Sequence, residues 1–587
     1  MGYTDEKNVL ILLSLLKKHQ IKRIIVSPGT TNITFVASLQ SDPYFEVFSA
    51  PDERSAAYIA CGMAEESGEP VVLSCTGATA SRNYVPGLTE AYYRNLPVLA
   101  VTSTQHVGRI GQNIPQVINR SVIQKDIAKL SVFIPLCHSK EDEWACTIQV
   151  NRALLELTHN GCGPVHINME TGYSQNFQVE KLPEIQLIHR VEYGESFPEL
   201  PSGSIGVFVG AHSKWNEVLT NAVNQFCEKN NAVVLCDQTS NYRGPYRVLF
   251  SLIICQSDYS FDCNHFDLII HIGNVSGAYP SFCCKEEWRV NPDGEVRDTF
   301  GHLSYVFQMR EETFFEYYSQ HNNGAKEDTF IGEWKTAWKK LNTDNVEIPF
   351  SNIWLASQIG PELPKGARVH LGILNTLRSW NFIETPENVS LYSNTGGFGI
   401  DGDLSSAIGA SLCYPNQLVY CILGDLAFFY DMNSLGNRHV GNNLRIVLIN
   451  NGKGAEFRNY NHPGARFGDA ADPFIAAAGH YGAKSTELVK HYSEDLGFEY
   501  WSAHNKEEAI PAIMRLLEPR ELKKPILFEA FTDSQNESDA LYSMMHLLVD
   551  ESVNNQDMQK EQKLKKTIKR VVGDKVLNIY RILKYGE

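Results

Sequence analysis

Residues 418–425, LVYCILGD, and residues 444–451, LRIVLINN, are short, nearly continuous apolar runs that each stop on an oxygen-bearing residue. Runs of this length bounded by polar turns read as strands buried on both faces, and such strands belong to parallel sheets whose crossovers are helices. The pattern recurs along the chain. Helix-like spacing near Asn8–His19 leads into IKRIIVSPG, a helix after Thr30 leads into FEVFSAP, and ERSAAYIACGMAEESG leads into EPVVLSCTG, followed by LPVLAVTST and GPVHINM. IGVFVGAHS, NAVVLCDQTS and FDLIIHIGN form a second series; ARVHLGILN, NVSLYSNTGG, the two opening runs and PILFEAFTD form a third. This alternation predicts an α/β fold of doubly wound parallel sheets.

The 587 residues exceed one core, because single domains stop growing near ~250–300 residues. A polar stretch, EYGESFPELPSGS, separates the first two series. Three consecutive doubly wound domains are expected at 1–190, 200–345 and 350–535. From 536 to 587 the character changes: Lys560–Lys584 is basic, with Leu564, Ile568, Val571, Leu577 and Leu583 at helical spacing. That reads as a helical basic tail packed on its own protein or on a twin subunit.

A formal net charge of −16 argues against a general nucleic-acid surface, since binding the phosphate backbone relies on Lys and Arg. The 13 cysteines show no CxxC pair and no zinc-like spacing with histidine, so they read as reduced thiols. The opening MGYTDEKNVLILLSLLKKHQ has an apolar run too short to span a bilayer and ends as a basic helix rather than at a cleavage site. A cytoplasmic protein without a transmembrane segment is the expectation.

Ligands of parallel α/β sheets sit outside the carboxyl ends of the strands, where Gly424-Asp425 and Asn450-Asn451 fall. A lone Gly-Asp is ordinarily a turn or a helix cap. Two oxygen donors 26 residues apart, each closing a buried strand, point instead to a shared hard cation such as Mg²⁺ or Ca²⁺. Such a metal can also hold a diphosphate.

The Gly-Asp-x motif ending in Asn-Asn resembles the fingerprint of the thiamine-diphosphate-dependent decarboxylases and carboligases. VSPGTTN, DERSAAYIACGMA, TGATASRNYVPGLTEA, SNTGGFGIDGDLSSAIGA and GDLAFFYDMNSL are similar to motifs of one branch, the 2-succinyl-5-enolpyruvyl-6-hydroxy-3-cyclohexene-1-carboxylate synthases of menaquinone biosynthesis. The resemblance implies thiamine diphosphate and Mg²⁺ as cofactors, with pyrimidine-binding, central and diphosphate-binding domains in chain order. It implies a metal held by Asp425, Asn451 and the backbone carbonyl of Lys453. Gly424, Leu426, Ala427 and Gly454 would lie along the diphosphate, with Leu426 where the motif often has glycine. Ile400 would prop the cofactor in its bent form, with Gly399 beside it among the cofactor-binding residues. Glu53 would be the acid that activates the aminopyrimidine, with Asn83 and Gln116 near the reactive end. From its position alone Glu53 is a carboxylate at a helix start, where the dipole favours it. The resemblance also implies a homodimer or homotetramer with sites completed between subunits.

The substrate positions depart from that branch. Thr31, Gln105 and Thr395 stand where it uses arginines to grip its acidic substrates, and guanidinium groups suit carboxylates bidentately. Arg378 is the candidate grip on the distal carboxylate of 2-oxoglutarate; Arg82 and His106 are new polar groups near the cofactor end. The expected activity is decarboxylation of a 2-oxo acid, 2-oxoglutarate or pyruvate, with carboligation to an acceptor other than isochorismate. The alternatives are the synthase reaction itself, simple decarboxylation, and a non-catalytic cofactor-binding subunit. GGFGIDG resembles a dinucleotide loop only loosely.

Overall fold

This computed structural model describes residues 2–548 except 213–214, 322–328, 342, 344–345 and 521. The basic stretch Lys560–Lys584 lies outside the described residues. The fold holds three parallel sheets with alternating helices, the α/β class expected from the alternating runs.

The described chain divides into two compact units, residues 2–201 with 284–314, and residues 202–283 with those from 315 onward. The first unit carries a six-stranded sheet in the order Glu46–Ser49, Arg23–Val26, Val71–Cys75, Val98–Thr104, Val165–Glu170, Leu130–Ile134. The second carries Ser390–Tyr392, Arg368–Leu371, Val419–Gly424, Leu444–Asn450, Ile526–Phe531, Glu499–Ala503. Counted within each sheet, both orders are 2-1-3-4-6-5. Each has its switch point between its first and third strands, where a crevice opens at the carboxyl ends. The second unit also holds parallel strands Ile205–Val209, Ala232–Cys236, Arg247–Leu249 and His265–Ile272.

The central strands of both sheets are buried on both faces, which is why their sequences read as mostly apolar runs rather than as alternation. Helix Lys7–Lys18 is apolar nearly all round because it is buried nearly all round, from Asn8 to Leu16. Among the described residues no helix is long and apolar enough to cross a membrane, and all 13 cysteines are unbridged.

Helix Glu53–Ser67 starts on Asp52, whose side chain accepts the Ser55 N–H, and stops on Gly68 in the left-handed region at φ 67°. Its alanine face, Ala56, Ala57, Ala60 and Ala64, is buried in one apolar cluster with Leu88 of helix Val85–Tyr93. A Cβ on Gly87 of that helix would overlap the Cβ of Ala57, so the two helices meet at backbone distance and the start of the Glu53 helix is fixed. Gly87→Val is expected to cost about 1–3 kcal/mol by overpacking. Denaturant unfolding should read this as a lower midpoint; an unchanged midpoint would refute the close approach.

Candidate active site

In the second unit, strands Val419–Gly424 and Leu444–Asn450 are adjacent and parallel, with Gly424 beside Ile449. Asp425 and Asn451 therefore leave the same carboxyl edge one strand apart, beside the switch point. The pairing read from the two chain segments is a spatial neighbourhood.

The asparagines divide the work. Asn450 is buried; its amide donates to Glu529 at 2.7 Å and its oxygen accepts the Gly452 N–H at 3.2 Å. Glu529 in turn accepts the Tyr500 hydroxyl at 2.7 Å. Asn450 thus pins the turn that follows it. Asn451 Oδ1 is buried and without a hydrogen-bond partner, an acceptor that a folded chain seldom abandons.

Asp425 is 4% exposed. Burial pushes its carboxyl up to about 7, against the backbone N–H groups of Leu426, Gly452 and Lys453, which favour the charged form. The Lys453 ammonium donates to Asp472 at 2.7 Å; a protonated amine has no lone pair for a metal, which leaves the backbone carbonyl as this residue's donor. A buried carboxylate beside an orphaned amide oxygen fits a small hard cation. Among the described residues no group of three or more His, Cys, Asp or Glu side chains could hold a metal; the donors here are one carboxylate, one amide and the main chain.

A Cβ built on Gly424 would meet nothing within 4 Å, so the strand end faces open space of the kind a diphosphate needs. Leu426 is half-buried and Ala427 buried on the helix that follows. Gly454 donates its N–H to the Ala476 carbonyl at 2.7 Å. Ile400 is half-buried against the apolar cluster that includes Leu404 and Phe428. A Cβ on Gly399 would stand 2.5 Å from Oδ1 of the exposed Asp401 side chain.

Arg378, in the same unit, is held on both arms: its guanidinium donates to the two Glu456 oxygens at 2.8 and 2.9 Å and to Asn375 Oδ1 at 2.9 Å. The pair lies in the wall of a cavity of about 490 Å³. Thr395 is buried, its methyl 3.3 Å from where a Cβ on Gly277 would stand. Asp403 is buried with Oδ2 unpartnered, and burial pushes its carboxyl up to about 7.

In the first unit, Asn83 donates to Glu53 Oε2 at 3.0 Å, bringing together two candidates 30 residues apart. Thr31 is buried at the switch point of this sheet. Its hydroxyl pairs with that of Thr76 at 2.6 Å and accepts the Gly77 N–H at 3.1 Å, so it ties two strand ends together. Gln116 is exposed, with φ 64°. Gln105 accepts from Arg109, and His106 Nδ1 accepts the Gly108 N–H at 3.1 Å, capping a short turn. Arg82 donates to the Asn119 carbonyl at 3.0 Å.

Residues 9–124 match the family described as thiamine pyrophosphate enzyme, N-terminal TPP binding domain, and residues 375–513 match its C-terminal TPP binding domain. A 2-succinyl-5-enolpyruvyl-6-hydroxy-3-cyclohexene-1-carboxylate synthase of Bacteroides fragilis is 30% identical over 93% of this chain and 100% of its own length. The chain belongs to the thiamine-diphosphate enzymes. The protein of the same name from Bacteroides thetaiotaomicron is 29% identical over 93% of this chain and 99% of its own, and that from Desulfotalea psychrophila 28% over 81% and 90%. As a thiamine-diphosphate enzyme the protein takes its reactive chemistry from that cofactor, which this family uses with Mg²⁺.

Two partners of this thiamine-diphosphate enzyme escaped the sequence reading. Glu456, in the text KGAEFRN, carries no signal until the turn after Asn451 is folded back onto Arg378. Arg120, in VINRSV, reads as a solvated loop arginine, yet it is 4% exposed. No spacing rule marks either.

Proposed function

We propose that the protein decarboxylates a 2-oxo acid, 2-oxoglutarate or pyruvate, and transfers the acyl unit to an acceptor other than isochorismate. Thiamine diphosphate, when bound, supplies the nucleophilic carbon and the electron sink for loss of carbon dioxide. In this chain Asp425, Asn451 and the Lys453 carbonyl would hold Mg²⁺, and Gly424 and Ala427 would flank the diphosphate. Glu53 would hold a proton against the aminopyrimidine, its carboxyl oriented by the Asn83 amide. The three sheets would serve as pyrimidine-binding, central and diphosphate-binding domains.

What supports the choice of acceptor is the state of two positions where the synthase branch is expected to use arginine. Thr31 and Thr395, at those positions, are turned inward and buried. Neither threonine offers a guanidinium to a carboxylate, which suits a less acidic acceptor than isochorismate. A second reading, the synthase reaction itself, is favoured by the name of the relatives over nearly the whole length.

We also propose a homodimer in which Glu53 of one copy serves the metal site of the other. Val47 and Phe48 on the edge strand, and Tyr58 and Ile59 on the Glu53 helix, stand exposed, and apolar residues exposed in this way suit a subunit contact.

The test is turnover of a panel of 2-oxo acids with thiamine diphosphate and Mg²⁺, following carbon dioxide. Release from 2-oxoglutarate or pyruvate, accelerated by an added aldehyde acceptor, is the expected result. No release from either acid, with or without acceptors, would overturn the proposal.

A further inference from the structure

A cavity of about 430 Å³ opens in the first unit, and neither Glu53, Asn83 nor Gln116 is in its wall. Its charge is one-sided. Arg82 and Arg120 both line it, and no carboxylate does. Arg120 spends Nη2 on the Ser103 carbonyl at 2.8 Å, while its Nε and Nη1 are buried without a partner. Burial pushes its guanidinium down to about 10, which leaves it cationic at neutral pH.

His166, also in the wall, adds no charge. Its ring nitrogens are engaged by Thr102 at 2.7 Å and Ser131 at 2.8 Å, and burial pushes it down to about 3. Ser81, Thr102 and Gln124 add neutral polar groups, and Leu88, Ala100, Ile123 and Ile127 form an apolar part of the wall. A buried guanidinium with free N–H groups and no counter-charge is costly to leave unpaired. Its planar fork matches a carboxylate. The volume is in the range of small-molecule sites, and such sites pair an apolar lining with a few placed polar groups.

We infer that this cavity binds a small carboxylic acid with an apolar body, its carboxylate on Arg120 and its body against Leu88, Ala100 and Ile127. A compact, fully polar anion such as inorganic phosphate would satisfy the arginine but leave the apolar wall unfilled.

The experiment titrates the full chain, saturated with thiamine diphosphate and Mg²⁺, with sodium benzoate by calorimetry, and with inorganic phosphate in parallel. One benzoate per chain should bind, more tightly than phosphate. Arg120→Gln should weaken it by at least about tenfold. Ile123→Trp, which fills the cavity without touching the charge, should abolish it. If Arg120→Gln does not fold, Ile123→Trp decides alone. Absence of benzoate binding, binding undiminished in Ile123→Trp, or phosphate binding as tight as benzoate would each overturn the inference.

Discussion

Glu53→Gln is expected to lower the rate of carbon dioxide release by about 10²–10⁴-fold, the range of a positioned acid–base group, with thiamine diphosphate still bound. Glutamine keeps the size of the side chain and a hydrogen bond with Asn83, which lies 3.0 Å from Glu53 Oε2. The helix start survives as well, because Asp52 rather than Glu53 caps the Ser55 N–H. What is lost is the ionisable carboxyl proton, so the defect should fall on kcat and not on cofactor affinity. Stopped-assay kinetics beside a calorimetric cofactor titration separate the two. A variant that keeps more than a tenth of the rate would remove Glu53 from the chemistry.

The second large effect is expected from Asp425→Asn. The substitution leaves an oxygen where the carboxylate stood but removes the formal charge that a divalent cation requires. Changes in the outer shell of a metal site alone cost about 10–100-fold; loss of the charged ligand should exceed about 100-fold in Mg²⁺-dependent thiamine diphosphate affinity. The metal-free protein should not lose stability, because burial already disfavours that charge and pushes the carboxyl up to about 7. Cofactor titration at rising Mg²⁺, paired with denaturant unfolding without metal, reads both halves. Unchanged affinity would place the metal elsewhere, and a collapsed fold would make Asp425 structural.

These two residues also show what a sequence can carry. Asp425 and Asn451 were legible because each closes an unbroken apolar run, and a run buried on both faces allows few partners other than a parallel neighbour. Glu53 and Asn83 were legible only through the resemblance; their hydrogen bond joins a helix start to the end of a short helix, and neither end announces the other. The local pattern could assign no distinct duties to the two asparagines. That Asn450 serves Glu529 and Asn451 keeps a free oxygen depends on where Ile526–Phe531 pairs. Thr31 was expected at the substrate, and the structure engages its hydroxyl with Thr76 and Gly77. Arg378, expected on the distal carboxylate of 2-oxoglutarate, is paired with Glu456, 78 residues away. Charge pairing over such distances leaves no trace in spacing, whereas burial does.

On the proposed function, a thiamine-diphosphate enzyme that keeps Asp425 and Asn451 for its metal has substrate positions changed away from isochorismate. The most direct measurement supplies the wild-type enzyme, with both cofactors, with 2-oxoglutarate or pyruvate together with isochorismate, and follows carbon dioxide and product masses at once. Carbon dioxide should be released while isochorismate is recovered unchanged. Appearance of the isochorismate adduct in step with carbon dioxide would contradict the claim and make the enzyme a synthase like its relatives.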